Sequence, residues 1–88
     1  MRLKIKNLPV GTTDKQFSDF ITPYGTVKES KVFTDGKPIP IYSGTFGLAD
    51  IECSDEKKRE LFAVKKFNTN TIECYPVSED IYSSWMMP

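Results

Sequence analysis

Apolar and polar positions alternate strictly over residues 2–6 (RLKIK), with Leu3 and Ile5 on one side and Lys4 and Lys6 on the other. That period of two is the signature of a strand with one buried face. NLPVG then breaks the pattern. Residues 13–16 (TDKQ) form a T-x-x-Q capping box, and Phe17, Phe20, Ile21 and Tyr24 follow at the i, i+3, i+4, i+7 spacing of a buried helical stripe. Pro23 and Gly25 end that helix. Residues 27–33 predict a second strand, 34–40 (TDGKPIP) a turn-rich loop, and 43–52 (SGTFGLADIE) a third strand. Ser54, followed by Asp55 and Glu56, starts a second helix whose apolar side is Leu61 and Val64, with Phe67 beyond. Asn68, Thr69 and Asn70 break it, and residues 71–77 (TIECYPV) read as the last strand. In the tail, 78–88 (SEDIYSSWMMP), Ile81, Tyr82, Trp85 and Met86 fall at helix-like spacing. The order is strand, helix, strand, strand, helix, strand.

At 88 residues the chain suits one domain, expected over residues 1–77, with 78–88 as a tail, linker or short helix. No apolar run approaches the ~18 residues of a membrane span, and the start alternates instead of showing a signal-peptide core, so no membrane partner is expected. The abrupt end at Pro88 after WMM predicts a piece of a longer protein. Two cysteines, Cys53 and Cys74, stand without a CxxC pair, and there is no histidine. Too few soft ligands are present for a zinc site, and both read as reduced thiols, Cys74 in the core, in an intracellular protein of nucleus or cytoplasm. Without histidine, and with no glycine-rich phosphate loop, no catalytic residues and no cofactor are implied, and an enzyme is not expected. Lysine plus arginine and aspartate plus glutamate each number 12. Zero net charge argues against dense, sequence-independent binding of a phosphate backbone but leaves room for a local basic patch.

The order βαββαβ with these spacings resembles the RNA recognition motif (RRM) over about residues 2–77. That resemblance implies an α+β fold: a ferredoxin-like sandwich of two helices on a four-stranded antiparallel sheet. Leu3-Lys4-Ile5-Lys6-Asn7-Leu8 before Pro9 looks like the family's hexameric RNP motif. Thr13, Phe17, Phe20, Gly25 and Val27 fall where the family places its first-helix pattern and the G-x-V entry to strand two. Residues 44–51 (GTFGLADI) lie where the octameric motif belongs. In the family, three aromatics from the two central strands stack bases; carried over, their positions fall on Lys4, Phe46 and Leu48, of which only Phe46 is aromatic. Gly44 stands at the octamer's leading basic position. An acylphosphatase-like hydrolase of similar fold would need an arginine in a phosphate-cradling loop, which the sequence lacks.

Alternation divides each strand into two faces. Thr45, Gly47, Ala49, Ile51, Val32, Ile72 and Cys74 are expected to face the helices. Lys4, Lys6, Lys31, Phe33, Phe46, Leu48, Asp50, Glu73 and Tyr75 are expected on the open face. The candidate RNA-binding set is therefore Lys4, Lys6, Lys31, Phe33, Phe46, Leu48 and Tyr75, with rings to stack on bases and lysines to meet phosphates. The same residues have plainer readings: edge-strand aromatics favour pleated surfaces, and alternating lysines aid solubility. Lys57-Lys58-Arg59 and Lys65-Lys66 read as a solvated helix face. Asp50 and Glu73 would repel phosphate unless paired. Tyr82 and Trp85 of the tail have three readings: a cover over the sheet, a docking segment for another protein or domain, or a disordered stub. The expected function is weak binding of short single-stranded RNA on the open sheet face, in mRNA processing or a related role, by a monomer; a protein-interaction module using the sheet or the tail is the alternative.

Overall fold

The computed structural model describes residues 1–34 and 44–86. Its elements are β1 (Arg2–Leu8), α1 (Asp14–Ile21), β2 (Thr26–Thr34), β3 (Thr45–Glu52), α2 (Asp55–Ala63), β4 (Lys66–Phe67), β5 (Asn70–Thr71), β6 (Glu73–Pro76) and α3 (Glu79–Met86). Of the expected 34–40 loop, only Thr34 is described, as the last residue of β2; the rest lies outside the described residues, as do Ser43 and Pro88.

Four strands form one antiparallel sheet in the order β2-β3-β1-β6, the topology expected from the resemblance. α1 starts as the capping box predicts: the Thr13 hydroxyl accepts from the Gln16 amide at 3.1 Å, and the Thr13 amide donates to Gln16 Oε1 at 2.9 Å. The helix stops at Ile21, and a 3-10 turn over Thr22–Tyr24 carries the chain past Pro23. At α2 the Ser54 hydroxyl accepts from the Lys57 amide at 3.2 Å. Phe17, Ile21 and Leu61 bury the helices against Leu3, Ile5, Ala49 and Ile51 on the inner face of the sheet. Gly47 is fixed by that contact: a Cβ there would fall against the ring of Phe17.

Two expectations need correction. α2 ends at Ala63, with Val64 already extended at φ −68° and ψ 128°, so Phe67 is not on the helix. It lies in β4, which pairs with β5 in a small hairpin (Lys66 with Thr71, Phe67 with Asn70), and its ring meets Phe20 edge-on at 4.8 Å. The expected final strand of 71–77 is accordingly split, and only Glu73–Pro76 joins the main sheet. Asn68 makes the hairpin turn at φ +53°, a left-handed conformation that asparagine tolerates. Asn7, at a bulge in β1 and at φ +67°, donates to the Thr71 carbonyl at 2.7 Å, while Asn70 donates to the Asn7 carbonyl at 3.0 Å. These two amides hold the hairpin to the sheet.

The tail is a helix. Val77 extends the ladder by donating to the Arg2 carbonyl at 3.0 Å, and the Ser78 hydroxyl accepts from the Ile81 amide at 3.3 Å to start α3. Glu79 and Asp80 place negative charge at the helix N-terminus, where the dipole favours it. α3 then crosses the sheet on the face opposite α1 and α2, where Tyr82 forms a second small core with Phe46 and Leu48. A stub without structure is thereby excluded for residues 79–86.

Candidate functional site

Strand register arranges the outer face in three cross-strand rows. The first contains Glu29, Asp50 and Arg2, from β2, β3 and β1. The second contains Lys31, Leu48, Lys4 and Tyr75. The third contains Phe33, Phe46, Lys6 and Glu73. All seven residues expected to bind RNA therefore share this face, in the register that alternation gives.

The second and third rows alternate rings with cations. Phe33 and Phe46 stack at 5.5 Å between centroids with 22° between planes. The Lys4 ammonium lies 4.4 Å from the Phe46 centroid, that of Lys31 5.4 Å from Phe33, and that of Lys6 6.0 Å from Tyr75. An ammonium over a ring face is attracted by the ring quadrupole at about 0.5–1 kcal/mol in exposed sites. Each lysine is thus held beside a stacking surface, where a nucleotide's phosphate would lie near its base.

The face is not open, however. Phe46 is 7% exposed and Leu48 fully buried, because α3 lies on them. Trp85 meets Phe46 edge-on at 5.0 Å and Phe33 at 5.4 Å. Tyr82, 5% exposed, donates its hydroxyl to Glu29 Oε1 at 2.7 Å, and the Arg2 guanidinium sits 5.2 Å from its ring centroid. Burial, with the Glu29 carboxylate beside it, pushes the Tyr82 hydroxyl above the usual tyrosine range. Arg2 also reaches Asp50 at 4.0 Å and Glu79 at 3.6 Å, tying the first turn of α3 to the first row. Asp50 is therefore turned toward Arg2 and not toward the lysines.

Tyr82 and Trp85 thus both touch the sheet. Leu48 makes sense in this setting: it stands where the resemblance implies a ring, and it forms an apolar floor under Tyr82. Arg2, Glu29 and Glu79 belong to the site but were not legible as members of it, since Arg2 and Glu29 matter through tail residues far along the chain and Glu79 through Arg2. Among the described residues, α3 leaves the β1/β6 side uncovered, with Lys6 exposed and Tyr75 half-buried.

The model of the RNA recognition motif family matches residues 3–41 of the chain. No curated protein matches it. Among solved structures, the chain is similar to RNA-binding protein PG1, at 23% identity and a TM-score of 0.67, over 90% of this chain and 95% of that one. It is similar to the RRM of RNA15 at 15% identity and a TM-score of 0.71, over 93% and 94% of the two chains. The Rna15 RRM with bound RNA (GU) matches at 15% identity and a TM-score of 0.66, over 89% and 83%. At such identities the likeness is one of fold.

Proposed function

We propose that this chain, a domain with the fold of the RNA recognition motif and that family's sequence pattern over residues 3–41, is an RNA-binding module that takes short single-stranded RNA on the outer face of its sheet. The carrying observation is the stacked Phe33–Phe46 pair with the Lys4 and Lys31 ammoniums over its rings. Rings accept bases at about 1–3 kcal/mol each, without demanding a particular sequence, and the lysines answer the phosphates. That the similar RNA15 domain has been solved with RNA bound supports the reading.

α3 occupies the same rings, so RNA and helix compete for them. Binding is weak in consequence, because the apparent affinity is the intrinsic one reduced by the fraction of molecules in which α3 is lifted. The test is titration of the chain with a labelled pool of short RNA oligonucleotides. Phe46→Ala, which removes the central ring, is expected to weaken binding about 5- to 150-fold, the equivalent of about 1–3 kcal/mol. Phe46 also seats α3, so the comparison is repeated in a chain lacking residues 81–88; undiminished affinity of Phe46→Ala there would sink the proposal.

A second reading, a protein-binding module, is favoured by one observation: α3 presents Ile81 and Trp85 to solvent at 50% and 42% exposure. Failure of any RNA to bind at high concentration, with a protein partner retained by the intact chain and lost on Trp85→Ala, would favour that reading.

A further inference from the structure

We infer that the closed domain receives its first nucleotide at Tyr75, on the strip of sheet that α3 leaves uncovered, and that α3 lifts only afterwards. The inference rests on the RNA-binding reading above and adds an order of events to it.

The path of α3 sets the geometry. It begins beside Arg2, where Glu79 is anchored at 3.6 Å. Apart from the Arg2 guanidinium 5.2 Å from the Tyr82 ring, its later side-chain contacts run to β2 and β3: Tyr82 with Glu29, Leu48 and Phe46, then Trp85 with Phe46 and Phe33. The half of the face built by β1 and β6 carries none of these anchors beyond Arg2. There Tyr75 lies directly across from Lys4 and diagonal to Lys6, whose ammonium is 6.0 Å from the Tyr75 centroid. One ring with the Lys6 ammonium beside it, and Lys4 on the facing strand, offers what a single nucleotide requires, a surface for the base and a cation for the phosphate. Glu73, across from Lys6, offsets part of the charge, so stacking on Tyr75 dominates at this position.

Lys4 links this strip to the covered rings. It lies across from Tyr75 on one side and from Leu48 on the other, with its ammonium 4.4 Å from the Phe46 centroid. A phosphate that draws Lys4 toward Tyr75 takes it off Phe46, at the edge of the contact that α3 must release. The next nucleotide then meets Phe46 as Trp85 leaves it. RNA anchored at Tyr75 is at high effective concentration for that second contact, so it competes with α3 better than free RNA does.

Trp85 is the chain's single tryptophan and packs on the two rings concerned, so its fluorescence reports α3 lifting. Rapid mixing of the whole chain with excess short RNA separates the two orders. With Tyr75 first, the observed rate rises with RNA concentration to a plateau. Tyr75→Ala then moves the half-saturating concentration up about 5- to 150-fold and leaves the plateau unchanged, while Tyr75→Phe stays within about twofold of the parent. With α3 lifting first, the rate falls as RNA concentration rises, or the half-saturating concentration ignores Tyr75→Ala; either result overturns the inference while leaving RNA binding intact. Complete absence of RNA binding at equilibrium, in the parent chain and in Tyr75→Phe alike, refutes the underlying reading and this inference with it.

Discussion

Replacing Tyr82 by phenylalanine is expected to strengthen RNA binding while weakening the fold. The substitution keeps the ring in its site on Phe46 and Leu48 and removes only the hydroxyl that donates to Glu29 at 2.7 Å. A hydrogen bond to a charged group contributes about 1.5–3 kcal/mol when its partner is left stranded. Glu29 is exposed and is taken up by water once the hydroxyl is gone, so the loss falls near 1 kcal/mol. That shifts the closed–lifted equilibrium of α3 about fivefold toward lifted. With α3 closed in most molecules, apparent RNA affinity rises by the same factor. Stability against urea falls by about the same 1 kcal/mol, because the closed state is the native one. The assay is anisotropy of a labelled RNA pool at fixed salt, beside urea unfolding of the same samples. Glu29→Gln in the Tyr82→Phe background adds nothing further if this bond is the cause. Lower stability with unchanged or weaker RNA binding would refute the competition between α3 and RNA.

Removing residues 81–88 takes Tyr82 and Trp85 off the sheet and is expected to raise RNA affinity beyond the gain from Tyr82→Phe, measured by the same anisotropy titration. The Tyr82 hydroxyl is held protonated in the closed state, so its contribution is present below the unfolded tyrosine value near 10 and is lost as pH rises past it. Trp85 fluorescence is therefore expected to change on raising the pH above about 10, and that change is expected to be smaller in Tyr82→Phe. Burial pushes the Cys74 thiol up to about 12, so alkylation at pH 8 is expected to be much slower in the folded chain than in urea, as read by mass spectrometry. Gly47→Ala drives a methyl into the Phe17 ring and is expected to cost about 1–3 kcal/mol, seen as a lower midpoint of thermal unfolding.

The faces of the sheet were legible because the period of two survives in each strand. Leu3 and Ile5 on β1, and Ala49 and Ile51 on β3, fix which way the neighbouring lysines and rings point. The start of α1 was equally readable, since a capping box is a local device. What escaped prediction depends on partners far along the chain. The tail's apolar residues gave helix-like spacing, with a seat on the sheet as one of three readings and nothing to select it, because the bond that holds Tyr82 joins it to Glu29, 53 residues earlier. Phe67 sits three residues beyond Val64 and so continues a helical spacing, yet the chain is already extended there. The two-residue strands of its hairpin are too short to carry a period, and their ties to the sheet run through Asn7 and Asn70. Asp50, which in isolation argued against phosphate, loses that force once Arg2 is seen beside it.

The proposed RNA-binding surface on the outer face of this sheet is the one that α3 covers. Backbone amide shifts of the intact chain during titration with short RNA test it most directly. Shifts are expected at Lys4, Phe33, Phe46 and Tyr75, with the Tyr82 and Trp85 amides moving toward unfolded values in the same titration. Shifts confined to the basic side of α2, around Lys58 and Arg59, with α3 unmoved, would contradict it.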